Sequence, residues 1–181
     1  RERLWPKTWQ LVCREDRLAG VGSFVTHQIL DDPVLVIRTG EGADELSAIY
    51  NVCQHRGRRL VDRSHGTLGH EIPCRFHGWR FGWDGALKSA TNEEDWDGCP
   101  AFDKQALAIP KIRVGRWGGF VFVNLDREQS ATTMGAYYDC HRPPSTPPVT
   151  LPRMNIPPLT GVNLFLPVDT RGRFLRRLQS L

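Results

Sequence analysis

Between Thr8 and Phe122 the apolar residues come in short runs rich in Val, Ile, Phe and Trp, broken by Gly, Asp and Pro. Runs of this length and composition predict strands of a small antiparallel β structure. The expected strands are WQLVC (9–13), SFVTHQIL (23–30), VLVIRT (34–39), LSAIYNV (46–52), EIPC (71–74), WRFGW (79–83), PKIRV (110–114) and GGFVFVNL (118–125). No long helical periodicity interrupts them. The Asp31-Asp32-Pro33 run predicts a tight turn between the second and third strands, the stretch 38–51 the next hairpin, and Asp84-Gly85 a further turn. The pattern predicts an all-β fold, an antiparallel β-sandwich or partly open barrel, over residues 1–126.

Beyond Asp126 the pattern is lost. Residues 139–181 hold eight of the 13 prolines, including RPPSTPP (142–148), and end in the basic stretch RGRFLRR (171–177). Such a composition predicts an irregular, poorly ordered linker and tail over 127–181 rather than a second core. No internal repeat is present.

Charge follows the same division. The formal net charge of +4 invites a nucleic-acid or anionic-surface reading. Residues 1–126 hold 17 Lys+Arg and 17 Asp+Glu, however, so the excess belongs to the tail, and no nucleic-acid partner is expected. No apolar run approaches the ~20 residues of a membrane helix. Five widely spaced cysteines, Cys13, Cys53, Cys74, Cys99 and Cys140, are an odd set unsuited to a disulfide framework. They point to reduced thiols or ligands and a cytoplasmic location. The chain opens on Arg1 rather than Met, so its natural start is expected upstream.

Four residues carry the chemistry. NVCQHRGRRL (51–60) supplies Cys53 and His55, and CRFHGW (74–79) supplies Cys74 and His77 after a gap of 18 residues. Two thiolates and two imidazoles suit either tetrahedral zinc or a [2Fe–2S] centre in which two histidines serve one iron. Zinc fingers usually pair like ligands, whereas each loop here offers one Cys and one His, which favours the cluster over a structural zinc module. Gly57 and Gly78 let the backbone turn closely, with free N–H groups available to sulfur.

CQHRG followed by CRFHGW resembles the Rieske signature, in the context found in α subunits of Rieske non-haem iron oxygenases of the aromatic-ring-hydroxylating type. WQLVCREDRLAGVGSFVT, PVLVIRTGEGADELSAIYNVC and RWGGFVFVNLD (116–126) extend the resemblance to about residues 5–138. The gap between the loops is slightly longer than the commonest family spacing. The resemblance implies that Cys53 and Cys74 hold one iron and His55 and His77 the other. It also implies electrons from a ferredoxin or flavin reductase, and a trimer of α subunits. Trp79 stands where high-potential respiratory relatives carry a hydroxyl residue, which implies a potential in the lower part of the Rieske range.

In that family a following domain binds a mononuclear Fe(II) through two histidines and a carboxylate. After Asp126 this sequence has one histidine, His141, so that site is expected to be absent and the chain to be a fragment, redox-active but catalytically incomplete. A stand-alone Rieske electron carrier is the alternative. Arg56, Arg58 and Arg59 are either a docking patch for an acidic donor or a solvated loop face. His27, His65, His70 and His141 are read as surface or turn residues, and Cys13, Cys99 and Cys140 as small core or exposed thiols. The acidic stretch NEEDWDGCP (92–100), with Trp96, is read as a solvated loop.

Overall fold

Most of the apolar runs form strands. The computed structural model of the chain describes residues 5–42, 45–99 and 102–126. The chain divides into two units at Met134–Gly135, and all described residues lie in the first. The linker and Pro-rich tail expected over 127–181, with Cys140 and His141, lie outside them. Among the described residues no helix is long and apolar enough to cross a membrane.

The strands are β1 (Gln10–Arg14), β2 (Ser23–Ile29), β3 (Asp32–Arg38), β4 (Leu46–Tyr50), β5 (His65–Thr67), β6 (Ile72–Pro73), β7 (Arg80–Phe81), β8 (Leu87–Ser89), β9 (Lys111–Trp117) and β10 (Phe120–Asn124). A seven-stranded sheet runs in the order β1-β10-β9-β4-β3-β2-β5, and a three-stranded sheet in the order β6-β7-β8. Every pairing is antiparallel, as the all-β reading requires.

β3 is the spine of the large sheet. Val34, Leu35, Val36 and Ile37 are all fully buried, because the strand is covered on both faces. Val34 and Val36 pack into one core with Val25, Val121 and Val123, while Leu35 and Ile37 pack into the other with Phe24, Ile49 and Phe81. Burial on both faces is why VLVI reads as a continuous apolar run rather than an alternation. Each such side chain contributes roughly 1.5–3 kcal/mol of transfer free energy. The second core is the one that holds Cys53 and Cys74.

Three details differ from expectation. The β2–β3 turn falls on Leu30 and Asp31, with Leu30 in the left-handed region at φ 55, and β3 begins at Asp32 rather than Val34. Ile29 pairs with Asp32 and Gln28 with Pro33, so the two residues before Val34 join the ladder. Short strands β5 and β8 have no counterpart in the sequence reading. β5 pairs His65, Gly66 and Thr67 with β2, and β8 pairs Leu87 and Ser89 with β7, through backbone groups that side-chain alternation does not reveal. His27, read as a surface or turn residue, sits half-buried within β2, where burial lowers its pKa.

Candidate metal centre

Two loops with the same backbone frame carry the four candidate residues. In the first, the Cys53 N–H donates to the Arg58 carbonyl at 2.8 Å and the Gly57 N–H to the Cys53 carbonyl at 3.0 Å. In the second, the Cys74 N–H donates to the Trp79 carbonyl at 2.7 Å and the Gly78 N–H to the Cys74 carbonyl at 3.0 Å. Each frame starts on a cysteine and closes four residues later on a glycine with positive φ, 70° at Gly57 and 75° at Gly78. The histidine position differs by one, since His55 is the second residue after its cysteine and His77 the third.

The supports of the loops differ. The second loop caps the β6–β7 hairpin, where Pro73 pairs with Arg80. The first follows β4 and is closed by a single bridge, Val52 to Arg59, and by the side chain of Asn51. Asn51 is 1% exposed; its Nδ2 donates to the Val61 carbonyl at 2.7 Å, and its Oδ1 accepts from the Val61 N–H at 2.9 Å. That amide replaces one rung of a ladder and returns the chain to the sheet. Sequence reasoning passed over Asn51 because its partner is backbone, ten residues away.

The loops bring like groups together. Cys53 and Cys74 are 2% and 3% exposed and sit within hydrogen-bonding reach of each other at the rim of the apolar core. Burial pushes the Cys53 thiol up to about 11; the backbone N–H groups of His55 and Arg56, directed at its sulfur, act in the opposite sense, and neighbouring Cys74 adds to the rise. His55 is exposed and His77 half-buried, and their rings meet at 4.6 Å between centroids with planes at 61°. The His55 imidazole is held below its usual pKa, first by desolvation and then by His77 and Arg56, which favours the neutral form that binds metal.

Aromatic rings flank both histidines. Trp79, 6% exposed, stacks on His55 at 4.7 Å with planes 8° apart. Phe76, 58% exposed, stacks on His77 at 3.8 Å. Around them the arginines divide into two groups. Arg58 pairs with Asp62 at 2.9 Å, Arg59 donates to the Gln28 amide oxygen at 2.7 Å, and Arg80 pairs with Glu71 at 3.4 Å. Arg56 and Arg75 have no such partner among the described residues. Two of the three arginines of the basic stretch, Arg58 and Arg59, are therefore held by partners, and Arg56 is the one left toward solvent.

The donor set fits an iron–sulfur cluster. Two soft thiols face each other inside, two imidazoles face each other outside, and N–H groups point at sulfur, which is the division of ligands a two-iron cluster with unlike irons needs. Among the described residues no three His, Cys, Asp or Glu side chains are grouped to hold a single metal ion.

The two closing glycines are expected to tolerate substitution unequally. A Cβ on Gly57 would meet nothing within 4 Å, whereas one on Gly78 would stand 2.8 Å from the Thr91 hydroxyl oxygen. Gly57→Ala should cost only the left-handed strain, about 1–2 kcal/mol. Gly78→Ala should add loss of the Thr91 hydroxyl's bond to the His77 carbonyl, for about 2–3 kcal/mol in all. Urea denaturation of the two variants checks the order, and equal losses would refute it.

Comparison with known proteins agrees with this geometry. Residues 8–106 match the family model described as the Rieske [2Fe-2S] domain. The chain is 33% identical over 126 residues to the carnitine monooxygenase oxygenase subunit of Acinetobacter pittii (strain PHEA-2), covering 70% of this chain and 32% of the relative. It is 35% identical over 127 residues to the anthranilate 1,2-dioxygenase large subunit of Acinetobacter baylyi, covering 70% and 26%. Among solved structures it is similar to a naphthalene 1,2-dioxygenase bound to phenanthrene, with TM-score 0.65, 30% identity and coverage of 74% and 29%. A quaternary ammonium Rieske monooxygenase, described with carnitine oxidation and inter-subunit electron transfer, matches with TM-score 0.65, 32% identity and coverage of 75% and 35%. The chain thus spans about a quarter to a third of the length of the curated relatives it matches.

Proposed function

The chain belongs to the Rieske [2Fe-2S] domain family, and we propose that it is the electron-accepting part of a ring-hydroxylating or related oxygenase α subunit. Cys53 and Cys74 would hold one iron of the cluster, and His55 and His77 the other. The observation that carries the reading is the segregation of the four groups, with the thiols paired inside and the imidazoles paired at the surface. When bound, the cluster takes up and gives back one electron at a time.

The residues of the chain arrange that exchange. The core around Cys53 and Cys74 keeps water from the sulfurs, while exposed His55 leaves one face open to a partner. Arg56 and Arg75 give that face a positive field, suited to an acidic donor such as a ferredoxin or to a flavin reductase. The relatives are monooxygenases and dioxygenases, and one of them is described with inter-subunit electron transfer. By extension this chain passes electrons to a mononuclear Fe(II) site in a neighbouring α subunit of a trimer, outside the described residues. That site would use O₂ to hydroxylate an aromatic or related substrate; the relatives' names span an aromatic acid, anthranilate, and a non-aromatic quaternary ammonium compound, carnitine.

Anaerobic purification followed by iron, zinc and acid-labile sulfide analysis tests the assignment. Iron and sulfide in equal amounts, with a Rieske-type EPR signal after reduction, are expected; zinc without sulfide would overturn it.

A further inference from the structure

The acidic segment after β8, read from sequence as a solvated loop, reaches both histidine-bearing loops. At its start the Thr91 hydroxyl donates to the His77 backbone carbonyl. Further along, Phe102 stands perpendicular to Trp79 at 6.4 Å, and Trp79 lies flat on His55. Trp96, 45% exposed, stacks over Phe102 from the outside at 5.6 Å. The segment is also fastened to the fold at both ends. Lys104 pairs with Glu93 and donates to the Lys88 carbonyl at 3.3 Å, while the other Glu93 oxygen accepts from the Ala90 N–H at 3.2 Å.

We propose that this segment is a positioning strap for the two imidazoles, with Thr91 setting His77 and Phe102 setting His55 through Trp79. The proposal rests on the cluster reading above. Neither residue touches the four candidate ligands' donor atoms; each acts through a neighbour. Thr91 fixes the carbonyl of the residue that bears one imidazole, so its loss lets that residue rotate. Phe102 makes an edge contact with the ring on which the other imidazole is stacked, so its loss lets the stack slide. Partners of this kind orient metal-binding histidines and tune the metal they hold.

The test uses the full chain with Thr91→Val, Thr91→Ser and Phe102→Leu. In metal-free protein, NMR of the imidazole rings should show His77 signals displaced in Thr91→Val and His55 signals displaced in Phe102→Leu, each largely leaving the other histidine in place. In anaerobically purified protein both variants should keep the wild-type iron and sulfide content but shift the EPR g values and the midpoint potential. Thr91→Ser should restore both readouts. Folded variants with wild-type ring signals would overturn the proposal, as would displaced rings with unchanged g values and potential. If Phe102→Leu does not fold, the Thr91 pair decides. Wild-type protein without iron and sulfide would sink the cluster reading instead, and the metal-free NMR comparison would then judge the strap by itself.

Discussion

Cys74→Ser protein, purified without oxygen, is expected to retain less than about a tenth of the wild-type iron and acid-labile sulfide, because a lost ligand should cost more than the 10–100-fold typical of outer-shell changes. It should also be EPR-silent after reduction. Serine presents a hard, protonated oxygen where the site needs a soft thiolate. Cys74 is 3% exposed and in contact with Cys53, so no solvent ligand can easily take its place. The matched control is Cys13→Ser. Cys13 lies in β1 against the other core, and burial pushes its thiol up to about 12. That variant should load like wild type. Full iron and sulfide in Cys74→Ser would remove Cys74 from the ligand set.

Asn51→Leu should lower stability by about 3–5 kcal/mol, since a buried donor or acceptor left without a partner costs about 1–3 kcal/mol and this change orphans two of them on Val61. Leucine roughly keeps the volume of the side chain but removes both hydrogen bonds, at 2.7 and 2.9 Å. Equilibrium urea unfolding of metal-free protein measures the loss without interference from the cluster. A loss under about 1 kcal/mol would mean that Val61 finds other partners. With both bonds lost, the first loop of the variant should be looser in the metal-free protein, with faster amide exchange from Cys53 to Leu60 than across the hairpin-supported second loop.

Much of this was legible in the sequence, for particular reasons. VLVI announced a strand of the sheet, and the spacing of Cys53, His55, Cys74 and His77 marked the two loops that bring these side chains together. The less legible parts were held by backbone. β5 is made of His65, Gly66 and Thr67, which have no apolar alternation and pair only through main-chain groups along β2. Asn51 and Thr91 bond to carbonyl and amide groups of distant residues, so no residue pattern marks them. The acidic stretch around Trp96 showed its charge plainly, but not the inward face of Phe102, because ring contacts at 6.4 Å depend on how loops fold over one another. Arg58 and Arg59 were ambiguous for the same reason, and pairing with Asp62 and Gln28 shows them also serving the loop itself.

The four bonds that frame the two loops join main chain to main chain, between Cys53, Gly57 and Arg58 and between Cys74, Gly78 and Trp79. No side chain at Gln54, Arg56, Arg75 or Phe76 takes part in them. The outward residues are therefore free to change without dismantling the loops, so charge and shape at this face can drift under selection while the inner geometry is retained. Exchange of electron partners, on this view, is an evolutionary problem of repainting a surface rather than rebuilding a centre.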